Sequence, residues 1–549
     1  MSELTIEAPA DTMTGGDAAV EVLLAEGIDT IFGLPGIQMD NLLDAMVRRG
    51  GIHFIHTRNE QATTHMADAY ARATGKIGCS IVVPGPGLLN AMTGLATAYG
   101  ASSPVLCITG QIDSHAIDQG LGHLHEISNQ LEMVRSVAKW SGRAMRPEEV
   151  APVLQEAFRQ LRTGRPRPVV VEIPPDVLAA KMDRVSIAPM AEEVAEPAID
   201  ELIDAAAEVL RGATKPLITV GGGVIAAGAW EELRELAETL DAPVLMTPQG
   251  KGTVSARHRL AFEWAAARDL IPVADVVVAV GTRFANPDAS RRKVLPGQRL
   301  IRIDIDDFEI AQVQDTAVAI HADAKAALVR LLPAVAKVRD GGSEWADAEL
   351  QAIRASYRQR LTDIQPQAAF AQVLREELPD NTVIVPGMTQ MGYWSRLGWE
   401  TYEPRTFVGT GYMGTLGFEL ATGLGAQAAF PDRKAVVLAG DGGFMFGVQE
   451  LATAVQHQLG LICIVFNDGA FGNVRRIQKN YYGARFIATE LHNPDFMELA
   501  KAFGLHGIRA EGPEALRTAL REALAVQGPV LIEVPCGEMA ALRRLNTAT

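Results

Sequence analysis

The sequence predicts an α/β protein built from three doubly wound parallel-sheet domains, the first and third of similar fold. Three observations lead there. Short apolar runs recur along the chain: Ile81 to Val83, Val105 to Thr109, Pro168 to Ile173, Leu217 to Val220, Val276 to Val280, Leu300 to Ile305, Val383 to Val385, Ala435 to Leu438 and Leu461 to Phe466. They do not alternate apolar with polar residues, so they read as strands covered on both faces, as in parallel sheets flanked by helices. Many end in Gly, Pro or Asp and lead into an amphipathic stretch, which is the strand–turn–helix order of crossover units. Finally, Lys181 to Asp200 and Lys337 to Gln367 are charged, contain proline and read as linkers. They cut the chain into three blocks of domain size, expected at 1–182, 195–338 and 362–549.

The similarity of the outer blocks rests on a faint repeat. Residues 80–111 read SIVVPGPGLLNAMTGLATAYGASSPVLCITGQ, and residues 435–468 read AVVLAGDGGFMFGVQELATAVQHQLGLICIVFND. Each is a strand, a glycine-rich turn, a helix carrying Leu-Ala-Thr-Ala and a second strand. GIDTIFGLPG near the start likewise parallels PDNTVIVPG at 379–387. Any two α/β units look broadly alike; the shared Leu-Ala-Thr-Ala register favours duplication.

Bulk properties narrow the function. The chain has 549 residues, a formal net charge of -16 and 48% hydrophobic residues. That is too apolar for disorder, and the acidic balance disfavours nucleic acid or an anionic membrane as a partner. Four cysteines without a CxxC or Cys/His ligand spacing read as reduced core thiols. No signal peptide and no apolar run of spanning length is visible, so a cytoplasmic protein is expected.

The chemistry concentrates in the third block. Gly440-Asp441-Gly442-Gly443 follows a strand and opens a helix. Glycines there let backbone N–H groups approach phosphate oxygens. Asp441 would repel phosphate unless a cation stood between them, and Mg²⁺ held by hard oxygen ligands meets that need. A second ligand is expected at the end of the neighbouring strand. Asn467-Asp468-Gly469-Ala470 ends the run LICIVF, and Asp468 lies 27 residues after Asp441, enough for a helix, a turn and a return to the same sheet edge.

This combination resembles the motif of thiamine-diphosphate-dependent enzymes, GDG followed at a similar interval by a pair of asparagines. The resemblance runs over nearly the whole chain and is strongest toward the acetolactate synthase, benzoylformate decarboxylase and benzaldehyde lyase group. It implies that Asp441 and Asp468 hold the metal by their side chains and Ala470 by its carbonyl. Gly442, Gly443, Phe471 and Gly472 should pack against the diphosphate, with Thr389 and Gln390 on its far side. Gly414 should accept from the cofactor's 4′-amino group. Leu416 should be the bulky residue that bends the cofactor, although by itself it reads as a core leucine. The family usually has Asn where Asp468 stands; a second carboxylate keeps metal binding and adds negative charge beside the diphosphate.

In the first block, RNEQATTHMADAYARATG (58–75) is similar to the family's segment around its catalytic glutamate. Glu60 would then protonate the pyrimidine N1′, a role that calls for a carboxyl with poor access to water. Read alone, Glu60 is equally a carboxylate at a helix N-terminus. Pro35 should pack on the pyrimidine, and Gln38 follows where some relatives place a histidine. Gln111 ends the strand PVLCITGQ. His125, and His123 beside it, are candidates to move a proton near the reacting carbon; an exposed loop histidine is the competing reading of each. His65, inside the helix, reads as structural.

The central block has a glycine-rich turn in PLITVGGGVIAAGA. Acetolactate synthases bind FAD in this region, but the GMHG stretch that aids them is missing here, which weighs against FAD. The resemblance thus implies a decarboxylating carboligase acting on a 2-oxo acid, using thiamine diphosphate and Mg²⁺. A simple 2-oxo acid decarboxylase and a 2-hydroxy ketone lyase are the alternatives, and a non-catalytic oligomeric binding protein is the rival from another class. The resemblance also implies a homodimer or homotetramer with active sites at the subunit interface.

Overall fold

The computed structural model describes residues 11–190, 198–285, 293–313, 315–339 and 341–542. The chain forms two compact units, Met1–Ala71 with Gly75–Glu193, and Arg72–Thr74 with Val194–Thr549.

The first unit contains a six-stranded sheet in the order His53–His56, Thr30–Gly33, Gly78–Val82, Val105–Gly110, Val169–Ile173, Trp140–Arg143. Every pairing in it is parallel. Gly78–Val82, Val105–Gly110 and Val169–Ile173 are buried at every position, which explains the unbroken apolar runs. Thr12–Thr14 pairs antiparallel with Lys181–Asp183 at the margin of the unit.

The second unit contains two sheets. One has six parallel strands in the order Ala261–Glu263, Val244–Met246, Pro216–Val220, Val276–Val280, Arg299–Asp304, Thr316–His321. The other has five parallel strands in the order Val383–Pro386, Ala435–Gly440, Ile462–Asn467, Val530–Pro535, His506–Arg509.

The five-stranded sheet repeats the first unit's topology strand for strand, including the reversal that places the last strand in sequence inside its predecessor. The first unit's edge strand His53–His56 also has a counterpart, reduced to a parallel bridge between Ile384 and Phe407. The Leu-Ala-Thr-Ala register has a structural meaning. In Leu95–Ala98 and in Leu451–Ala454, the Leu, Thr and second Ala are buried and the first Ala is half-buried. The same helix face packs on the same sheet in both halves.

The second expected linker is largely helical. Asp347–Thr362 is a helix whose buried residues are Leu350, Tyr357 and Leu361. The spacing of seven and four puts all three on one face, and the charged residues between them read as a linker only until that face is recognised. The first linker includes the strand Lys181–Asp183, while 191–197 lie outside the described residues.

In the six-stranded sheet of the second unit, the glycine-rich turn serves a close approach of two backbones. A Cβ on Gly223 would stand 2.6 Å from the Cα of Gly281. Glycine is required there for packing between two turns, whatever else the turn does. The four cysteines are free; Cys79, Cys107 and Cys463 are buried and Cys536 is half-buried. Among the described residues no helix is long and apolar enough to cross a membrane.

Candidate active site

Ala435–Gly440 and Ile462–Asn467 are neighbouring parallel strands, with Gly440 paired to Phe466. The next residue beyond each strand region therefore emerges at the same carboxyl edge, and those residues include Asp441 and Asp468. Asp441 is buried and Asp468 half-buried. Burial, and then the charge of Asp441, push the Asp468 carboxyl up to about 6. Two carboxylates brought together at one sheet edge form a site that favours a cation.

The third expected ligand fits as well. Phe471 N donates to Thr489 O at 2.8 Å and Leu491 N to Gly469 O at 2.8 Å, so the pairing flanks Ala470 and leaves its carbonyl out. Among the described residues no group of three His, Cys, Asp or Glu side chains could hold a metal. The donor set is thus two carboxylates and a carbonyl, to be completed by oxygens of a ligand, which suits Mg²⁺ bound with a diphosphate.

A polar chain not expected from the sequence steadies Asp441. Asn493 Nδ2 donates to Asp441 Oδ2 at 2.6 Å and to Asn467 Oδ1 at 3.1 Å. Asn467 Nδ2 donates in turn to Glu533 Oε1 at 2.8 Å, and Arg509 Nε donates to Glu533 Oε2 at 2.8 Å. Asn467, the other half of the expected pair, thus has its side chain engaged by Asn493 and Glu533.

The glycines of the motif are needed by close neighbours. A Cβ on Gly442 would meet the Phe471 ring at 2.6 Å, so Phe471 closes over the turn. A Cβ on Gly472 would collide with Asp468 Oδ2, so only glycine lets that carboxylate turn inward. Thr389 caps the helix Gln390–Gly398, accepting from Gly392 N at 3.0 Å. Its methyl group lies 3.0 Å from the position of a Cβ on Gly440, so this cap stands beside the glycine-rich turn. Gln390 Oε1 is buried without a hydrogen-bond partner. Gly414 has φ of +60°, a left-handed conformation that favours glycine. Leu416 is half-buried, with Cδ1 3.4 Å from the position of a Cβ on Gly443.

A residue that sequence reasoning missed lies directly beneath. Glu419 opens the helix Glu419–Ala429 and is fully buried. Its Oε1 fills the space a side chain on Gly443 would take, and it also packs against Gly387. Neither carboxyl oxygen has a hydrogen-bond partner. Burial pushes this carboxyl up to about 7.

In the first unit, Glu60 is the first residue of the helix Glu60–Thr74, capped by Asn59, whose side chain accepts from Gln61 N at 2.9 Å. Glu60 is half-buried, and its Oε2 accepts from Asn90 Nδ2 at 2.9 Å. Pro35 is exposed just after the strand Thr30–Gly33. Gln111 is buried, with Oε1 turned back to accept from Ile112 N at 2.8 Å.

The histidine loop is pinned at several points. Gln38 Nε2 donates to Leu124 O at 3.3 Å. Gln130 Oε1 accepts from Gly85 N at 2.8 Å, and its Nε2 donates to Gly110 O and Glu172 Oε2. His125 has φ of +70°, and its Nδ1 is buried without a partner. His123 is exposed. His65 is buried, and desolvation lowers its imidazole to about 4, in keeping with a structural residue.

Comparison with known proteins agrees with this geometry. Residues 13–133 match the N-terminal TPP binding domain of thiamine pyrophosphate enzymes, 203–331 their central domain and 387–534 their C-terminal TPP binding domain. A probable acetolactate synthase large subunit of Methanocaldococcus jannaschii is 33% identical, over 96% of this chain and 93% of its own. A probable 2-ketoarginine decarboxylase, AruI, of Pseudomonas aeruginosa is 34% identical, over 96% and 94%. The acetolactate synthase isozyme 3 large subunit of Escherichia coli is 32% identical, over 94% and 92%. The chain belongs to the thiamine pyrophosphate enzyme family and is an acetolactate synthase-like, thiamine-diphosphate-dependent enzyme of carbon–carbon bond formation and cleavage.

Proposed function

We propose that the enzyme is a decarboxylating carboligase that takes a 2-oxo acid and joins the remaining fragment to a second carbonyl compound. The observation that carries this reading is the carboxylate pair Asp441 and Asp468 at one sheet edge, in a chain similar along nearly its whole length to acetolactate synthase large subunits. In this reading the domains are 1–182, 195–338 and 362–549, and the chain works in the cytoplasm as a homodimer or homotetramer with its sites at the subunit interface.

When bound, thiamine diphosphate would supply an electron sink for the electron pair left on the carbonyl carbon itself when CO₂ departs. Asp441, Asp468 and the Ala470 carbonyl hold Mg²⁺, which neutralises the diphosphate. Thr389, Gln390, Gly442, Gly443, Phe471 and Gly472 enclose the diphosphate. The Gly414 carbonyl orients the 4′-amino group, Leu416 sets the bend of the cofactor, and Pro35 packs on its ring. Glu60 holds a proton at the pyrimidine nitrogen. His125 moves a proton to or from the substrate oxygen, and Gln111 and His123 are the further candidates for a catalytic role. The central domain enters this reading without FAD.

A simple decarboxylase is the second reading, favoured by the 34% identity to the probable 2-ketoarginine decarboxylase. The test is to give the purified enzyme Mg²⁺, thiamine diphosphate and pyruvate, and to follow CO₂ and acetolactate. Both products support the carboligase. CO₂ only from a larger 2-oxo acid, with an aldehyde as the other product, overturns it in favour of the decarboxylase.

A further inference from the structure

Glu419 is the duplicate of Glu60. In each half of the repeat, an edge strand or bridge leads into a helix that precedes the strand carrying the glycine-rich turn. Each carboxyl is on the first residue of that helix, Glu60 in Glu60-Gln61-Ala62-Thr63 and Glu419 in Glu419-Leu420-Ala421-Thr422. The two carboxyls stand beside neighbouring positions of the corresponding turns, Glu60 by the second helical residue, Gly87, and Glu419 by the third, Gly443. A Cβ on Gly87 would lie 3.7 Å from Glu60 Cγ, and one on Gly443 would overlap Glu419 Oε1.

The two sites differ in what meets the carboxyl. Glu60 accepts from Asn90. Glu419 is fully buried, and both of its oxygens lack a hydrogen-bond partner. The ionisable groups that act on it are Tyr393 on the helix Gln390–Gly398 and Cys463 on the strand Ile462–Asn467; Asp441 opens the short helix that carries Gly443. No cation acts on it. Burial without a counter-ion favours the neutral acid, which is a hydrogen-bond donor, and the backbone N–H groups of Gly417 and Glu419 offset only part of that preference.

We propose that Glu419 is a ligand of the cofactor's diphosphate: its carboxyl reaches the cradle through the gap left by Gly443 and donates a hydrogen bond to a phosphate oxygen. This rests on the thiamine diphosphate site described above. One half of the duplicated fold thus uses Glu60 for the pyrimidine end and the other uses its counterpart for the phosphate end. A protonated acid can approach an anion that already faces two carboxylates, whereas an ionised one cannot. Binding the cofactor then fixes one proton on Glu419, and affinity declines once the solution is alkaline enough to remove it.

The experiment is calorimetric titration of the full-length protein with thiamine diphosphate and Mg²⁺, for wild type, Glu419→Gln and Glu419→Met. Circular dichroism and thermal melting show that each variant is folded. Gln keeps the donor and the shape, so it should bind within about 3-fold of wild type near pH 6.5. Met keeps the bulk and loses the donor, so it should bind about 10- to 100-fold more weakly, the usual cost of a hydrogen bond to a charged group. Titration near pH 8 in two buffers of different ionisation enthalpy should show proton uptake by wild type exceeding that of Gln. The contributions of Asp441 and Asp468 are common to both and cancel. Equal affinity of Met and wild type, or equal proton uptake by wild type and Gln, overturns the role of Glu419. A folded wild type that binds no thiamine diphosphate would instead overturn the cofactor reading itself.

Discussion

Asn493 Nδ2 lies 2.6 Å from Asp441 Oδ2 and spans to Asn467 Oδ1, which is 3.1 Å away. One amide thereby orients the carboxylate proposed to hold the metal, from outside the motif. Side chains that orient ligands in this way typically contribute about 10- to 100-fold in metal affinity. Asn493→Ala should weaken Mg²⁺ binding by that factor while leaving the fold intact. Metal titration followed by intrinsic fluorescence checks it, and wild-type affinity in the variant would mean that the contact is incidental.

The Asp441–Asp468 pair makes metal binding depend on pH. The Asp468 carboxyl is pushed up to about 6, and the metal requires it ionised. Wild-type Mg²⁺ affinity should therefore rise with pH through about 6 and level off above it. In Asp468→Asn no proton is displaced, so the rise should flatten. At pH 8 the variant's thiamine diphosphate affinity should also depend less steeply on Mg²⁺, because one negative charge beside the diphosphate is gone. Identical pH profiles and identical metal dependence in the two proteins would refute both statements.

The shared sheet edge of Asp441 and Asp468 was legible because it follows from local spacing. A strand, a Gly-Asp-Gly-Gly turn and a second strand ending in Asn467-Asp468 fix both carboxylates on neighbouring strands before any coordinates are known. The duplicated fold was legible for a similar reason: Leu-Ala-Thr-Ala records which helix face is buried. Asn493 was not, because it comes from a loop and touches Asp441 only through tertiary folding. Glu419 was hidden differently. Its sequence context reads as the start of an amphipathic helix, and only the missing side chain of Gly443 shows where its carboxyl goes. The helix Asp347–Thr362 reads as a linker in sequence because three buried residues among sixteen are a thin signal.

Glu60 is capped into place by Asn59 and held by Asn90, so its role can be tested without disturbing the helix. Glu60→Gln keeps the shape and removes the acid. It should lower kcat by roughly 10²- to 10⁴-fold, the range for loss of a positioned acid or base. Thiamine diphosphate and Mg²⁺ should still bind within a few-fold of wild type. Steady-state kinetics beside a binding titration separates the two effects. A variant that retains full turnover would show that Glu60 is only a residue of the helix N-terminus.

Glu419 also makes a prediction about the protein without its cofactor. Burial pushes its carboxyl up to about 7 in the folded chain, above the ordinary glutamate value of 4.5. Between those values the folded state keeps a proton that the unfolded state has released. Stability therefore falls as pH rises across that window and is constant above it. The loss attributable to this one group is on the order of 3 kcal/mol at most. Glu419→Gln has no proton to lose, so the cofactor-free variant should be more stable than wild type at pH 8, and the advantage should shrink toward pH 5. Denaturant unfolding of chelator-treated protein at both pH values measures the difference. Parallel curves would mean that the carboxyl reaches water in the free protein. A diminishing gap means that the site stores, in its empty state, the ionisation penalty that keeps Glu419 protonated and ready to donate.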